Sequence, residues 1–172
     1  MIQTMTEYDP RSYHFDNPFR MIGEQWMLVT AGNERGYNTM TASWGGLGVL
    51  WNKNVATIYI RPQRYTKEFI DANEQFTLSF FSSKYRPALS LCGSKSGREV
   101  DKAKETGLTP IHSDGVTYFA EAEIVLLCKK LYRQSMDPSC FLDSSLIDAN
   151  YPQNDFHEIY IAEITKILVK EK

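Results

Sequence analysis

The 172-residue chain has three cysteines, Cys92, Cys128 and Cys140, an odd number with no C-x-x-C spacing. That disfavours a disulfide framework, a zinc ribbon and a cysteine-held iron–sulfur cluster, and it suits a reducing cytoplasm. An excess of one charge is also missing, with 19 Lys+Arg against 21 Asp+Glu and a formal net charge of −2. No broad cationic field is present to draw in nucleic acid or an anionic lipid surface. Nowhere do about eighteen apolar residues run together, the least that spans a bilayer as a helix, and Met1 to Phe15 has no basic segment followed by an apolar one. Neither secretion nor a membrane span is expected, and a cytoplasmic location is. The three histidines, His14, His112 and His157, lie far apart in sequence, and a solitary histidine is more often a surface or packing residue. No G-x-S-x-G elbow is present, which sets a hydrolase aside. Gly45-Gly46-Leu47-Gly48 has the wrong spacing for a dinucleotide fingerprint, and Gly93 and Gly97, followed by Arg98-Glu99, do not form a P-loop.

The length fits one domain over residues 1–172, without internal repeats or low-complexity tracts. Aromatic content is 13%, and such rings supply core area as well as surfaces for stacking. The most informative stretch is Asn38-Thr39-Met40-Thr41-Ala42-Ser43-Trp44, which puts small hydroxyls, a thioether and an indole on one short strand. Its bland reading is β-propensity alone. Its functional reading is a platform offering backbone and hydroxyl hydrogen bonds to a flat polar ring system such as a flavin.

Two basic segments favour the second reading. In the first, the run Val55 to Ile60 ends in Arg61-Pro62-Gln63-Arg64-Tyr65-Thr66-Lys67, three cations with no acid between them. Arginine matches a phosphate with a planar fork of donors, whereas lysine acts as a point charge. Thr66 is expected to cap a helix over Lys67 to Ala72, whose first N–H groups would face the same anion. The second is Cys92-Gly93-Ser94-Lys95-Ser96-Gly97-Arg98-Glu99-Val100-Asp101-Lys102. Such a turn can wrap N–H groups around phosphate oxygens, although alone it reads as a linking loop with Gly93 as a helix stop.

With these segments the chain resembles the flavin reductase-like proteins of the FMN-binding split-barrel fold, and in particular their flavoredoxin-like branch. The resemblance runs from about Phe19 to Val169 and rests on NTMTASW, LWNK, IYIRPQRYT, FTLSFF, CGSKSGREVDK and YFAEAEIVLLCKKLY. It implies that Asn38, Met40, Thr41, Ala42, Ser43 and Trp44 lie along the flavin ring and ribityl chain. It also implies that Arg61, Arg64, Tyr65, Thr66, Cys92, Gly93, Ser96 and Lys102 serve the phosphate. Ser94 and Glu99 replace the Thr and Asp of the family's CGTKSGRDVDK pattern and keep hydroxyl and charge. Phe80 is placed near the flavin edge. Cys92 reads as a small buried hydrophobe rather than a redox thiol.

The expected fold is mainly β, a six-stranded antiparallel Greek-key barrel with a few covering helices, and the resemblance implies a homodimer with FMN at or near the interface. Strands are expected over Gln25 to Ala31, Asn38 to Trp44, Val55 to Ile60, Phe76 to Phe81, Val116 to Phe119, Glu121 to Gln134 and His157 to Val169. Gly32 to Tyr37 reads as a loop and Gly45 to Asn54 as a connection. Helices are expected over Arg86 to Leu91 and Glu99 to Thr106, the second stopped by Gly107. Asp137 to Asp155 reads as an excursion off the barrel with a short helix near Ser139 to Leu142.

A flavin carries its own redox chemistry, so the protein has to bind it, orient it and tune it. No catalytic residue or metal is required. NADH or NADPH is the expected transient electron donor, and Trp44, with Trp51 from the following loop, would shape the exposed ring face, although Trp51 reads first as packing. Two functions follow from the resemblance: an NAD(P)H-dependent flavin oxidoreductase, or an electron carrier with tightly bound FMN and protein redox partners. The electron acceptor is a small molecule or a protein, with no nucleic acid or membrane involved.

Overall fold

The computed structural model describes residues 4–171. One antiparallel sheet organises the chain, with β2 (Met27–Asn33), β3 (Gly36–Ala42), β4 (Gly45–Leu50), β5 (Lys53–Ile60), β6 (Gln75–Phe80), β9 (Ile124–Ser135) and β10 (Glu158–Lys170) in the order β3-β2-β6-β9-β10-β5-β4. A short β1 (Met5–Tyr8) adds to β10. The fold class is as expected, mainly β with few helices and of the split-barrel type; the sheet has eight strands rather than six and does not close. Its two ends, β3 and β4, are consecutive in sequence and joined only by Ser43-Trp44. The split in the barrel therefore falls within the strand-to-strand joint that carries the most distinctive residues.

The extra strand arises because Gly45 to Asn54 is a hairpin rather than a connection. Trp51 and Asn52 both take positive φ, 53° and 57°, the conformation that a two-residue hairpin turn needs. A glycine-rich run followed by tryptophan hides that signal. The Gly32 to Tyr37 loop likewise contracts to Glu34-Arg35, with Asn33 paired to Gly36. It can tighten because Gly32, at φ 105°, lies where any Cβ would collide with the Gly36 carbonyl.

Alternation along β2 divides the interior. Met27, Val29 and Ala31 face one core with Ile58, Phe76, Leu78, Leu126 and Tyr160. Leu28 faces a second with Leu89, Cys92, Phe119 and Leu127, under the helix α2 (Arg86–Ser94) and the hairpin of β7 (Pro110–Ser113) and β8 (Val116–Phe119). Each fully buried side chain of this size contributes about 1.5–3 kcal/mol, and together they fix the sheet's register.

Several boundaries move. A π-type helical turn over Arg20–Gln25 precedes β2. α1 spans Tyr65–Ala72, and α2 continues three residues beyond Leu91, through Gly93. α3 is only Lys102–Thr106, capped by Asp101, whose Oδ1 accepts from the Lys104 N–H at 3.1 Å, and ended by left-handed Gly107 as expected. The excursion holds a 3₁₀ turn at Pro138–Cys140 and α4 (Ser145–Asn150), so its main helix lies later than expected.

Candidate functional site

The split leaves the outer edge of β3 without a strand partner, so part of its backbone polar groups faces a groove instead of a ladder. The groove has two adjoining hollows that share Met40, Arg61 and Arg64. The first, about 320 Å³, is polar and is lined by Asn38, Tyr65, Thr66, Ser96, Gly97 and Lys102 among others. The second, about 180 Å³, is lined by Thr41, Ala42, Ser43, Trp44, Tyr59 and His157. Hollows of a few hundred Å³ are the usual size for small-molecule sites.

Two helix ends furnish the first hollow. At the start of α1 the amides of Tyr65 and Thr66 have no carbonyl partner within the helix, which favours an anion there. Thr66 is not the cap. Arg64 holds that position in extended conformation without a side-chain cap, and the Thr66 hydroxyl accepts from Asn38 Nδ2 at 2.7 Å. Across the hollow the last turn of α2 presents carbonyls. Arg64 Nη1 donates to Gly93 O at 2.7 Å, and Lys102 Nζ donates to Cys92 O at 2.8 Å and to Thr39 O at 2.7 Å. A helix C-terminus favours cations at its free carbonyls, so the protein's own α2 holds both cations at the edge of the hollow.

Burial then works against those charges. Desolvation and the nearby Arg61 cation push Arg64 below its ordinary range. Desolvation likewise lowers the Lys102 pKa to about 8, with Arg64 adding to the shift and Cys92 opposing it. Both cations would gain from an anion between them. Arg64 keeps guanidinium N–H groups, and Lys102 a third N–H, beyond the carbonyl contacts.

The other sequence-chosen residues divide. Ser96 lines the first hollow, its Oγ accepting from the Arg98 N–H at 3.2 Å. Tyr65 forms a wall with its ring against Phe69. Gly93 is not a helix stop but a point of close approach inside α2, where a Cβ would lie 3.3 Å from Thr41 Cβ. Thr41 Oγ1 donates to Leu89 O at 2.5 Å. Cys92 enters through its carbonyl alone, since its thiol is fully buried and desolvation raises its pKa to about 11, which leaves it inert. Phe80 is 3% exposed in the core, paired with Ile124 on β9, and lines neither hollow. Its place at a flavin edge is corrected, because the alternation of β6 turns it inward. Lys67 points away and pairs with Asp71 and Glu158.

Arg61 is less free than the sequence suggests. Its guanidinium donates to Asp155 Oδ2 at 2.6 Å and to Asn150 O at 2.8 Å, and it lies 5.1 Å from the centroid of the Tyr151 ring. It fastens the excursion to the groove as well as lining it. The acid that pairs with it lies 94 residues away in sequence, beyond the reach of local reading.

His157 is the functional candidate that sequence reasoning passed over. It is buried at the start of β10, with its ring centroid 5.4 Å from that of Trp44 and Nδ1 2.7 Å from the Tyr151 hydroxyl. Desolvation, then the Arg61 and Arg64 cations, lower its pKa to about 4 against the opposing pull of Asp155. It is therefore a neutral hydrogen-bonding group at neutral pH. Nothing local to an isolated histidine signals this.

Trp44, 49% exposed, divides the polar groove from two larger apolar hollows. One runs past Phe19, Ile22 and Leu47, and the other past Met136, Phe141 and Leu146 of the excursion. No group of three or more His, Cys, Asp or Glu able to hold a metal ion occurs among the described residues, nor is any of their helices long and apolar enough to cross a membrane.

The family model described as "Flavin reductase like domain" matches residues 19–172. None of the curated proteins matches the chain in sequence. Among solved structures, flavoredoxin from Methanosarcina acetivorans is similar at TM-score 0.66 and 19% identity, covering 86% of this chain and 69% of that one. The FMN-binding protein of Thermus thermophilus, solved with bound 1-cyclohex-2-enone, is similar at TM-score 0.65 and 20% identity, over 91% and 79% of the two chains. The Streptomyces globisporus NADH:FAD oxidoreductase SgcE6, solved with NAD and FAD fragments, is similar at TM-score 0.61 and 16% identity, over 83% and 73%. At these identities the likeness shows the fold, a split barrel.

Proposed function

The chain belongs to the flavin reductase-like domain family, and from that premise we propose that it is an FMN-binding NAD(P)H:flavin oxidoreductase acting as a cytoplasmic homodimer. The observation that carries the reading is the meeting of Arg64, Lys102, Ser96 and the α1 amides in one hollow that opens directly onto Thr41, Ser43 and Trp44. A phosphate monoester carries roughly −1.5 to −2 charge, which answers two desolvated cations otherwise facing only carbonyl oxygens. The donor set thus fits the phosphate, and the free edge of β3 fits a polar ring edge.

When bound, the flavin would supply the redox step, accepting a hydride and passing electrons on. The protein's part is positional. Arg64, Lys102 and Ser96 anchor the anionic tail, and the backbone of β3 with Thr41 and Ser43 sets the ring's orientation. Neutral His157, held by Tyr151, offers a hydrogen bond without adding a cation beside the ring. Trp44 borders the face on which a nicotinamide would stack. The SgcE6 ligands support a nicotinamide donor for this reading, and the Thermus ligand supports a small ring carbonyl as one acceptor class. Exposed Val49, Trp51, Leu131 and Tyr132 around the β4–β5 turn and β9 support a second copy as partner.

One observation favours an electron carrier instead. Phe19, Leu142 and Leu146 surround half-exposed Trp44 as an apolar collar, a surface suited to a redox protein. Anaerobic mixing of the FMN-loaded protein with NADH or NADPH separates the two. Rapid loss of the oxidised flavin absorbance is expected from the nicotinamide alone, whereas loss only with a reduced redox protein would establish the carrier. A purified chain that neither contains nor binds FMN would end both.

A further inference from the structure

Beyond the phosphate hollow, on the same side of β3, lies another polar hollow of about 520 Å³ lined by Glu34, Arg35, Tyr37, Glu99 and Asp101. The two share three residues, Asn38, Gly97 and Lys102, which form a partition between them. Each member is fixed. Asn38 Nδ2 donates to Thr66 Oγ1 at 2.7 Å, and Lys102 is held by Thr39 O and Cys92 O. Gly97 presses its backbone so closely onto Asn38 that any Cβ would collide with Asn38 Oδ1 and approach the Tyr65 ring to 3.2 Å.

The strap that carries Gly97 is latched across the top. Arg98 crosses from the strap to α1, its guanidinium carbon 4.4 Å from the centroid of the Tyr65 ring and its Nη2 paired with Glu68. Within the strap the Glu99 and Val100 amides both donate to Ser96 O, at 3.0 and 3.2 Å. A terminal phosphate fits on the near side of this wall. A pyrophosphate followed by a second nucleoside that ran on along β3 into the neighbouring hollow would have to pass through the Asn38–Gly97 contact or under the Arg98 latch.

We propose that the Asn38–Gly97–Lys102 partition, latched by Arg98 on Tyr65 and Glu68, makes this site selective for a flavin mononucleotide over a flavin dinucleotide. The proposal rests on the flavin-binding reading above and adds the residues that set ligand length. The hollow beyond the wall is where an adenylate would lodge if the strap were released. Arg98 does not line the phosphate hollow, so the latch can be opened without removing an anchor.

The test is equilibrium titration of FMN and of FAD by flavin fluorescence on the purified chain and on Arg98→Ala and Glu68→Gln, which release the latch from opposite ends. The unmodified protein is expected to bind FMN at least about tenfold more tightly than FAD, each tenfold being about 1.4 kcal/mol. Each latch variant should narrow that ratio by about threefold to tenfold, the weight of an exposed ion pair with a cation–π contact, chiefly by strengthening FAD. Equal affinity for FMN and FAD in the unmodified protein, or an unchanged ratio in both folded variants, would overturn the partition while leaving flavin binding intact. Failure to bind either flavin would instead refute the functional reading itself, and the partition with it.

Discussion

The two ends of the groove are built on different principles. The end proposed to take the phosphate is internally fastened: Asn38 to Thr66, Arg64 to Gly93, and Lys102 to two carbonyls at once. Its cations are in place before any ligand arrives, so little ordering cost remains for binding. The ring end is bounded by Trp44 at 49% exposure and by an excursion whose Leu142 is fully exposed, and one cation, Arg61, moors much of it. Affinity should therefore reside at the tail, and adaptation to different second substrates at the ring.

The largest break in that contrast should come from Arg64→Ala. Charged hydrogen bonds are worth about 1.5–3 kcal/mol each, so FMN affinity measured by equilibrium titration should fall by about tenfold to a hundredfold. An unchanged constant would move the anchor elsewhere. A smaller effect, with a pH signature, is expected at Lys102. Its folded-state pKa is lowered to about 8, so its positive charge is present below that pH and is lost as pH rises through it. Bound phosphate stabilises the charged form, and FMN affinity should therefore decline between about pH 8 and 10 in the unmodified protein. Lys102→Met should bind about tenfold more weakly at pH 7 and show a flatter profile over that window. The same slope in both proteins would exclude Lys102 as its source. Smallest is Asp155→Ala, which frees Arg61. FMN affinity should change by less than about threefold, the range of one partly exposed ion pair, while limited proteolysis within the Asp137 to Asp155 segment quickens. A large affinity loss there would erase the distinction between anchored tail and adaptable ring end.

What could be read beforehand follows the range of each interaction. Strands with clear alternation of apolar and small polar residues, such as Phe76 to Phe81, were legible because a period of two is written in adjacent residues, although this strand is buried on both faces rather than half-buried. Gly107 was legible as a helix stop for the same local reason. The β4–β5 hairpin was not, because its turn uses Trp51 and Asn52 at positive φ instead of a recognisable Asn-Gly pair. At the site, the basic residues and the NTMTASW strand were visible in composition, and Arg64, Lys102 and Ser96 do gather. Their division of labour was hidden, since it depends on which carbonyl or acid each meets: Gly93 for Arg64, Asp155 for Arg61, Glu158 for Lys67. Phe80 and His157 lie where local reading did not place them, in opposite directions. One aromatic near a promising strand faces inward, and one isolated imidazole reaches the groove just ahead of β10, far along the chain from β3.

Helix α2 is gripped at both extremities. At its first residue Arg86 Nη1 reaches the Glu24 and Gln25 carbonyls at 2.6 and 3.2 Å, and its guanidinium carbon lies 3.2 Å from the centroid of Trp26. At its far end Arg64 and Lys102 hold Gly93 and Cys92. Contacts at both ends oppose tilting or sliding of the rod to suit a larger guest. Widening of the cleft then falls first to the loops that flank it, and changes at the remote Arg86–Trp26 clasp should be felt as a loosened hold on Arg64 some seven residues along the rod at Gly93, about 10 Å at helical rise.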